Sequence, residues 1–595
     1  MLDGPAFLNV AHSATGRRWV GPGPEAERQA LAIAQATGCA EILARVLAIR
    51  GVAPDTAEAH LAPTLRALMP DPSTLCDMDA AADRLADAVT RGERVALFGD
   101  YDVDGAASVA LVSDWLGAFG MRPEIHIPDR IAEGYGPNAP AMRALARRNG
   151  LILCLDCGTA TPEPIAAARG LGAEVIVVDH HLAPGALPET AAVVNPNRPD
   201  CRAGLGYLAA AGVAFLLLVA TNRTLRRRGL FRRRPEPDLR ERLDLVALAT
   251  VADVVPLTGL NRALVRQGLG VLARRTRPGL VALADVAGLS APPTARDLGF
   301  ALAPRINAGG RIGASDLGTR LLTARDATEA ERLALDLDAL NAERKAIEAA
   351  VLDAALAQIE ARGPEALEGP MVWAAGEGWH PGVLGIVAAR LKDRFNRPAV
   401  CIGLDGGESR GSARSVEGVD MGAAMAALMR DGLLSKGGGH AMAAGLSVAA
   451  ERVPAAMDAL AERLARRGPP PAGARDLAID GALTPGGAGL EIVRAVEAAG
   501  PFGQANPAPR FAFPEVRIAR AARMGEGHLR LRAADATGRG AVDAVLFGAA
   551  ALGLVARIEA AAATSAPVHL AGRLEIDDWG GRRRAKLFVD DIAFL

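Results

Sequence analysis

The sequence predicts two α/β lobes joined by a long helix and followed by a small β-barrel. From Arg94 onward, short apolar runs alternate with amphipathic stretches. A stretch without Gly or Pro then runs from Thr328 to Arg362, and short alternating segments follow a Pro- and Gly-rich linker at 467–475. Strands that alternate with helices form parallel sheets, and the later segments are typical of a barrel. A chain of 595 residues that is 50% hydrophobic is long and apolar enough for several domains.

The first lobe is predicted at 81–325, after a helical segment at 1–80. Its predicted strands are Val95–Phe98, Leu151–Leu155 and Val175–Val178, and acidic residues follow each of them. Ligands of parallel sheets bind beyond the carboxyl ends of the strands. We therefore expect these acidic residues to face one crevice.

A connector helix is predicted at 326–363. Thr328 and Glu331 form a capping-box pattern at its start, and Gly363-Pro364 supplies a stop. At 1.5 Å per residue the helix would be about 50 Å long, which suits a link between lobes. The second lobe is predicted at 364–467 and the barrel at 476–595.

Composition limits the classes of partner. With 67 basic and 68 acidic residues, a uniformly basic nucleic-acid binder is excluded, whereas a local basic channel is not. Six cysteines are too few for a disulfide framework, and we see no secretion signal. The uncharged stretch from Ala203 to Asn222 is interrupted by Gly204, Gly206 and Gly212, so we interpret it as a buried helix and expect no membrane partner.

Acidic residues and histidines cluster after four hydrophobic stretches. The clusters are Asp100, Asp102 and Asp104; Asp156; Asp179, His180 and His181; and Asp253. Buried carboxylates without partners are costly, and divalent cations are their usual compensation. Oxygen ligands with one or two imidazoles suit Mg²⁺ or Mn²⁺, and two such ions about 4 Å apart can hydrolyse a phosphodiester. The residues favour metal-dependent phosphoester hydrolysis over a purely structural acidic cluster.

The same motifs resemble, in the same order, those of the DHH phosphoesterases, and within them the single-strand-specific exonucleases. The matching segments are 99–105, 155–158, 178–181, 252–257, 304–313, 378–387, 411–415 and 437–445. The resemblance covers roughly residues 60 to 595. It implies a DHH catalytic domain, a DHH-associated domain and a terminal OB-fold. It also implies degradation of single-stranded DNA from the 5′ end to mononucleotides, with Mg²⁺ or Mn²⁺.

The resemblance also implies roles for the clustered residues. The metal ligands would be Asp102, Asp104, Asp156, His180 and Asp253, with Asp156 as the bridging carboxylate. Asp100, Asp179 and His181 would complete the catalytic set. His181 would orient the site or contact the scissile phosphate, although a purely structural hydrogen bond is an equal alternative, and Asp179 would brace the histidines. Phe98 stands where some relatives have a histidine. We therefore expect one ion to rely on Asp100 or on water.

Substrate contacts follow from the later motifs. By resemblance, the contacts to the strand and its 5′ end include Arg305, Asn307, Arg311, Ser412 and Arg414. Gly438, Gly439 and His440 resemble a phosphate-cradling loop just before a helix. In the OB-fold, Trp579 is expected in an exposed hairpin that binds single strands. The alternative for the glycines is that they only make tight turns.

Two other functions remain open at this stage. One is a non-catalytic scaffold that binds single strands, which incomplete ligands would indicate. The other is a hydrolase of short oligonucleotides or cyclic dinucleotides, which the length of the chain disfavours. The expected partner is single-stranded DNA, with a helicase and a single-strand-binding protein as possible further partners. We expect a cytoplasmic protein in DNA repair and recombination, and the resemblance favours a monomer.

Overall fold

The computed structural model describes residues 6–130, 132–183, 185–363, 367–466, 468, 476–525, 527–577 and 583–595. Its helices are α1 Pro24–Thr37, α2 Glu41–Ile49, α3 Ala57–Leu61, α4 Leu65–Leu68, α5 Met78–Arg91, α6 Val103–Gly117, α7 Ala139–Ala146, α8 Pro162–Arg169, α9 Ala210–Arg227, α10 Leu243–Ala252, α11 Gly259–Leu272, α12 Pro278–Val286, α13 Ala295–Asp297, α14 Ala303–Ile312, α15 Leu317–Thr323, α16 Ala327–Ala361, α17 Pro381–Phe395, α18 Met421–Arg430, α19 Val453–Ala465, α20 Leu490–Glu497 and α21 Val555–Thr564.

The strands belong to four sheets. They are β1 Arg18–Val20, β2 Val95–Gly99, β3 Glu124–His126, β4 Leu151–Leu155, β5 Glu174–Val178, β6 Ala192–Val194, β7 Val372–Glu377, β8 Ala399–Leu404, β9 Glu408–Arg414, β10 Lys436–His440, β11 Ala443–Ala449, β12 Asp476–Ala478, β13 Gly481–Ala482, β14 Phe511–Met524, β15 His528–Ala534, β16 Ala541–Leu546, β17 Pro567–Asp577 and β18 Arg584–Phe594. The chain divides into two compact units.

One unit contains the barrel. It consists of Met1–Met69, Pro256–Gln267 and Arg475–Leu595. Strands β14, β15, β16, β18 and β17 pair in that order, and β17 pairs back with β14, so the barrel is closed, as predicted. Helices α1 and α2 share a hydrophobic core with the barrel strands. The sequence did not predict this packing, because these partners lie more than 400 residues apart and no local pattern links them.

The other unit contains both lobes. In the first lobe, the sheet β3-β2-β4-β5-β6 is parallel throughout, as expected from the alternation of strands and helices. In the second lobe, the sheet β10-β11-β9-β8-β7 is mixed, with only β7 and β8 parallel. These sheets and the barrel confirm the predicted fold class.

The connector helix α16 has 35 residues, as predicted, but its cap differs. The Asp326 carboxylate accepts a hydrogen bond from the Glu329 amide at 2.8 Å, so Asp326 caps the helix and the predicted cap, Thr328, lies inside it. An aspartate three residues before an available amide serves as well as a threonine. At mid-helix the buried Arg344 donates to Glu348 at 2.6 Å.

The uncharged stretch that imitates a membrane span lies mostly in α9, which is buried in the first lobe. Among the described residues, no helix combines the length and the apolar character that a membrane crossing requires.

Candidate metal centre

The acidic clusters lie at one edge of the parallel sheet. Strands β2, β4 and β5 are neighbours, and the chain leaves each of them at its carboxyl end into one cluster, while Asp253 follows α10 directly. In a parallel sheet these ends meet at the same edge. The expected crevice is therefore formed by side chains from four segments that are far apart in sequence.

His180 lies at the centre of this group. Its Nε2 atom is 3.3 Å from Asp156 Oδ1, 3.6 Å from Asp253 Oδ2 and 3.9 Å from Asp104 Oδ2. Its Nδ1 atom is 3.1 Å from the carbonyl oxygen of Leu208, to which it donates a hydrogen bond. This bond fixes the tautomer and leaves Nε2 to face the carboxylates, as in metal-binding histidines.

Three overlapping sets of side chains could each hold an ion. They are Asp100, Asp102 and Asp156; Asp104, His180 and Asp253; and Asp156, His180 and His181. Within each set the ligand atoms lie within 4.8 Å of one another. The three sets contain all five predicted metal ligands, and Asp156 and His180 each belong to two of them. Bridging by Asp156 stays a prediction.

Two carboxylate oxygens in this pocket lack partners. Asp156 Oδ1 and Asp253 Oδ2 are buried and accept no hydrogen bond from the described residues. Burial, followed by the charges of neighbouring aspartates, raises the pKa of Asp156 well above its usual range and that of Asp253 to about 8. Such carboxylates take up protons unless a cation compensates them. The donor set of carboxylates and imidazole fits Mg²⁺ or Mn²⁺.

Two aspartates of the first acidic cluster accept hydrogen bonds from the first amides of helices. Asp102 Oδ1 caps α6 by accepting from the amides of Asp104 and Gly105, at 2.9 and 3.1 Å. Asp104 uses both oxygens, which accept from the amides of Ala210 and Ala211 at the start of α9, at 2.6 and 2.8 Å. These bonds satisfy amides that a helix start leaves unpaired, and they fix both carboxylates before any ion binds.

The Asp156 backbone is strained. Its φ angle is 64°, in the left-handed region that non-glycine residues seldom adopt. Its amide donates to the Val178 carbonyl at 2.9 Å, which holds the residue at the end of the sheet. Strain of this kind concentrates at functional sites, where the surrounding structure imposes it.

Asp179 holds His181 through a hydrogen bond. Its Nδ1 atom is 2.8 Å from Asp179 Oδ1, which also accepts from the His180 amide. Burial alone would lower the pKa of His181, but the hydrogen bond and charge of Asp179 raise it to about 9. Burial and the neighbouring His181 lower the pKa of His180 to about 4. The two histidines are therefore suited to different tasks, a neutral ligand and a proton donor.

Sequence reasoning missed three side chains beside the histidines. The Tyr135 hydroxyl lies 3.2 Å from His181 Nε2. Asn195 donates to the His181 carbonyl at 2.8 Å, and Asn197 donates to the His180 carbonyl at 2.6 Å. Both asparagines follow β6, so the rule about strand ends could have found them, whereas nothing near Tyr135 in the sequence marks it.

We expect Asn197→Ala to weaken Mn²⁺ binding by about tenfold, because the loop that carries His180 would lose its side-chain anchor. Isothermal titration of the metal-free protein with Mn²⁺ measures this. Asn149→Ala is the matched control, since that buried asparagine also makes two hydrogen bonds but follows α7, away from the carboxyl ends of the strands. Equal affinities in both variants would contradict the positioning role.

Phe98 is part of the apolar core. It is fully buried in β2, and its ring lies against His126 with centroids 5.2 Å apart. The side chain therefore packs in the core and does not bind an ion. The expectation that Asp100 or water takes the place of a histidine ligand stays a prediction.

The segment with Arg305, Asn307 and Arg311 is helix α14. A Cβ atom at Gly310 would lie 2.9 Å from the Tyr101 carbonyl, so glycine here permits close packing against the first acidic loop. Asn307 Oδ1 accepts from the Val103 amide at 3.2 Å, and Arg305 is paired with Asp338 at 2.8 Å. These contacts position the acidic loop, and direct phosphate contacts of Arg305 and Asn307 stay predictions.

Three arginines lie near one another beside the acidic loops. Burial, then the charges of Arg130 and Arg344, lowers the pKa of Arg311 to about 10, and burial and Arg130 also lower the pKa of Arg414. Arg130 lies 5.3 Å above the Tyr101 ring. We call Arg130, Arg311 and Arg414 the basic cluster. The sequence predicted two of its members and missed Arg130.

Ser412 and Arg414 lie together on β9 against α17. A Cβ atom at Gly385 would lie 2.8 Å from Arg414 Nη2 and 3.6 Å from Ser412 Oγ, so Gly385 leaves room for the Arg414 guanidinium beside Ser412. The pair is thus presented from one face of a central strand, as alternation along a strand requires.

Gly438, Gly439 and His440 do not form the expected loop before a helix. They lie in β10, an edge strand that pairs with β11, and a strand, not a helix, follows. An edge strand leaves backbone amides without sheet partners. Phosphate binding by these three residues stays a prediction, with edge amides as donors. Trp579 lies outside the described residues.

Comparisons with known proteins agree with this arrangement. Residues 94–250 match the DHH family N-terminal domain, 368–466 the DHHA1 domain and 479–591 the RecJ OB domain. The single-stranded-DNA-specific exonuclease RecJ of Escherichia coli is 36% identical over 565 residues, which cover 93% of this chain and 95% of that protein. The RecJ of Bacillus subtilis is 33% identical over 88% of this chain and 64% of that protein.

One solved structure is similar to this chain over nearly its whole length. The crystal structure of RecJ from Thermus thermophilus in complex with Mn²⁺ has a TM-score of 0.79 and 30% identity, over 97% of this chain and 79% of that chain. The corresponding Mg²⁺ complex has a TM-score of 0.73. These matches confirm the resemblance to the DHH phosphoesterases and support divalent metal use.

Proposed function

This chain belongs to the RecJ family of DHH phosphoesterases, and from that premise we propose that it hydrolyses single-stranded DNA from the 5′ end, releases 5′-mononucleotides and uses two divalent ions. The family membership makes it a metal-dependent nuclease. The observation that supports two ions is the sharing of Asp156 between two sets of ligands.

The proposed ion ligands are Asp102, Asp104, Asp156, His180 and Asp253, with Asp100 beside the first set. Two bound Mg²⁺ or Mn²⁺ ions would supply an activated water and stabilise the negative charge that develops on the phosphate. The protein fixes these ligands in advance through helix amides and the Leu208 carbonyl, so little rearrangement is needed on binding.

His181 is proposed to contact the scissile phosphate. Asp179 orients its ring from one side, and Tyr135 lies at the other ring nitrogen. A cationic imidazole at this place can donate a hydrogen bond to a phosphate oxygen and stabilise its charge. Asp179 acts through the histidine and does not itself contact the substrate.

The basic cluster is proposed to select the 5′ end. A terminal phosphate carries more charge than an internal phosphodiester, and arginine forks bind it bidentately. Asn307 ties α14 to the first acidic loop, so Arg311, one turn further along the helix, is held close to the metal ligands. Binding the end of the strand here would place the first phosphodiester at the ions.

We assign the enzyme to DNA repair and recombination in the cytoplasm, acting as a monomer. The single-stranded substrate is the basis of this proposal, because such strands arise when a helicase unwinds duplex and are covered by single-strand-binding protein. These two proteins are the partners that we propose.

Digestion of end-labelled single strands tests the direction. In Mg²⁺ or Mn²⁺, a 5′ label should appear at once as a mononucleotide, whereas a 3′-labelled strand should shorten through a ladder of products. EDTA should stop both reactions, since the carboxylates alone cannot activate water. Early release of a 3′-terminal label, or products cut from the middle of the strand, would contradict the proposal.

A further inference from the structure

A second cavity lies in the first lobe, away from the metal centre. It has a volume of about 560 Å³. Its walls come from the second half of α6 and from residues 241–242 before α10. They also come from residues 271, 274 and 276–278, between the end of α11 and the start of α12, and from residues 322–325, between the end of α15 and α16. This volume lies in the range of small-molecule sites.

Arginines dominate the polar wall of the cavity. Arg242, Arg274, Arg277 and Arg325 line it, against Asp114 and Glu241. Asp114 Oδ2 is shared, at 3.1 Å from Arg242 Nε and 3.8 Å from Arg277 Nη2. Arg277 is also paired, at 2.7 Å, with Asp244 behind the wall. Counting all three acids, the wall keeps an excess of positive charge.

Two of these arginines are available to a ligand. Within the described part of the chain, no carboxylate lies within ion-pair distance of Arg274 or Arg325, and both are exposed at the rim. Deeper in the wall, Arg242 Nε is buried and donates no hydrogen bond to any described residue, because Asp114 is poorly aligned with it. A buried donor without an acceptor is costly, and an anion in the cavity would relieve that cost.

The start of α12 also favours an anion in the cavity. Arg277 occupies its N-cap position, and no side chain caps its first amides. Helix starts favour anions, and phosphate in particular. The remaining wall combines apolar side chains, such as Ala110, Val271 and Leu322, with the hydroxyl groups of Ser113, Thr276 and Thr323, and this mixture suits a base and a sugar.

We propose that this cavity binds a 5′-mononucleotide through its phosphate. The proposal rests on the proposed function, which makes mononucleotides the product of the enzyme. The cavity-lining residue of α6 that is nearest to Asp104 in sequence is Ala110, six residues or about 9 Å further along the helix axis, and no metal ligand lines the cavity. The cavity is therefore separate from the metal centre, and a product molecule can occupy it while the site holds a strand.

Calorimetric titration of metal-free Arg414→Ala protein in EDTA weakens binding at the metal centre, because the ions and one arginine of the basic cluster are removed, and the cavity is then probed by changing its own arginines. We expect dAMP to bind, inorganic phosphate to bind more weakly and deoxyadenosine not to bind. Adding Arg274→Ala and Arg325→Ala should weaken dAMP binding by at least about tenfold, since two charge-assisted hydrogen bonds are lost. Adding Arg320→Ala and Arg332→Ala instead, which changes two exposed arginines on α15 and α16, should leave it unchanged.

Three outcomes would overturn the proposal. The first is absence of dAMP binding once Arg414 is removed, and the second is an affinity within about twofold after both rim arginines are changed. The third is a loss of affinity for a single-stranded oligonucleotide, but not for dAMP, when the rim arginines are changed. That result would make the cavity part of the surface that binds the DNA strand. Hydrolysis of DNA by the Arg274→Ala, Arg325→Ala protein should stay at the wild-type rate, so the proposed function is judged separately.

Discussion

Replacing Asp156 with alanine is expected to reduce exonuclease turnover by at least about a thousandfold, while single-stranded DNA still binds. The carboxylate belongs to two ligand sets, so its loss would impair both ion sites at once. Ions of this kind supply several kcal/mol of transition-state stabilisation, and about 4 kcal/mol corresponds to a thousandfold in rate. The basic cluster, which we propose to bind the end of the strand, is untouched.

Turnover should be measured in Mg²⁺ and in Mn²⁺, alongside binding of a labelled oligonucleotide and melting temperature. Mn²⁺ should raise the melting temperature of the wild-type protein and not that of the variant, since a ligand stabilises only the state that binds it. Asp353→Ala, an exposed aspartate on the connector helix, is the control for a lost carboxylate. Retained turnover of Asp156→Ala in Mn²⁺ would refute the assignment of the metal ligands.

Arg414→Ala is expected to raise KM on 5′-phosphorylated oligonucleotides by about tenfold to a hundredfold, with a smaller change in kcat. A charge-assisted hydrogen bond contributes about 1.5–3 kcal/mol, and a terminal phosphate would lose at least one. The proposed role concerns the end of the strand, so the effect should disappear on oligonucleotides with a 5′ hydroxyl.

Arg410→Ala is the matched control for this prediction. Arg410 lies on β9, on the same face as Ser412 and Arg414, but four residues away, or about 13 Å along the strand. Arg414→Lys should recover part of the affinity, because it restores charge without the fork. An unchanged KM for Arg414→Ala on the phosphorylated strand would remove Arg414 from the proposed 5′ site.

The residues that the sequence predicted well are those whose position follows from a local rule. Asp100, Asp156 and Asp179 end apolar runs, and the ends of parallel strands meet at one edge whatever the rest of the chain does. The 35-residue connector was predicted in the same way, from an uninterrupted helical pattern.

The residues that the sequence missed depend on contacts between distant segments. Leu208 supplies a carbonyl, and Ala210 and Ala211 supply amides, so their side chains carry no signal. The roles of two glycines depend in the same way on distant contacts, because Gly310 permits helix packing and Gly438 lies in an edge strand and not in the expected loop. Glycine marks close approach of chains, and the sequence does not say what approaches.

The two hydrogen bonds that Asp104 accepts from the start of α9 give this carboxylate a second, structural role. Its removal would leave the amides of Ala210 and Ala211 buried and without acceptors. A neutral substitute such as asparagine could accept only one of the two bonds. Substitution of Asp104 is thus constrained both by its proposed role as a metal ligand and by the helix start that it caps. A relative without catalytic activity would still be expected to retain the aspartate.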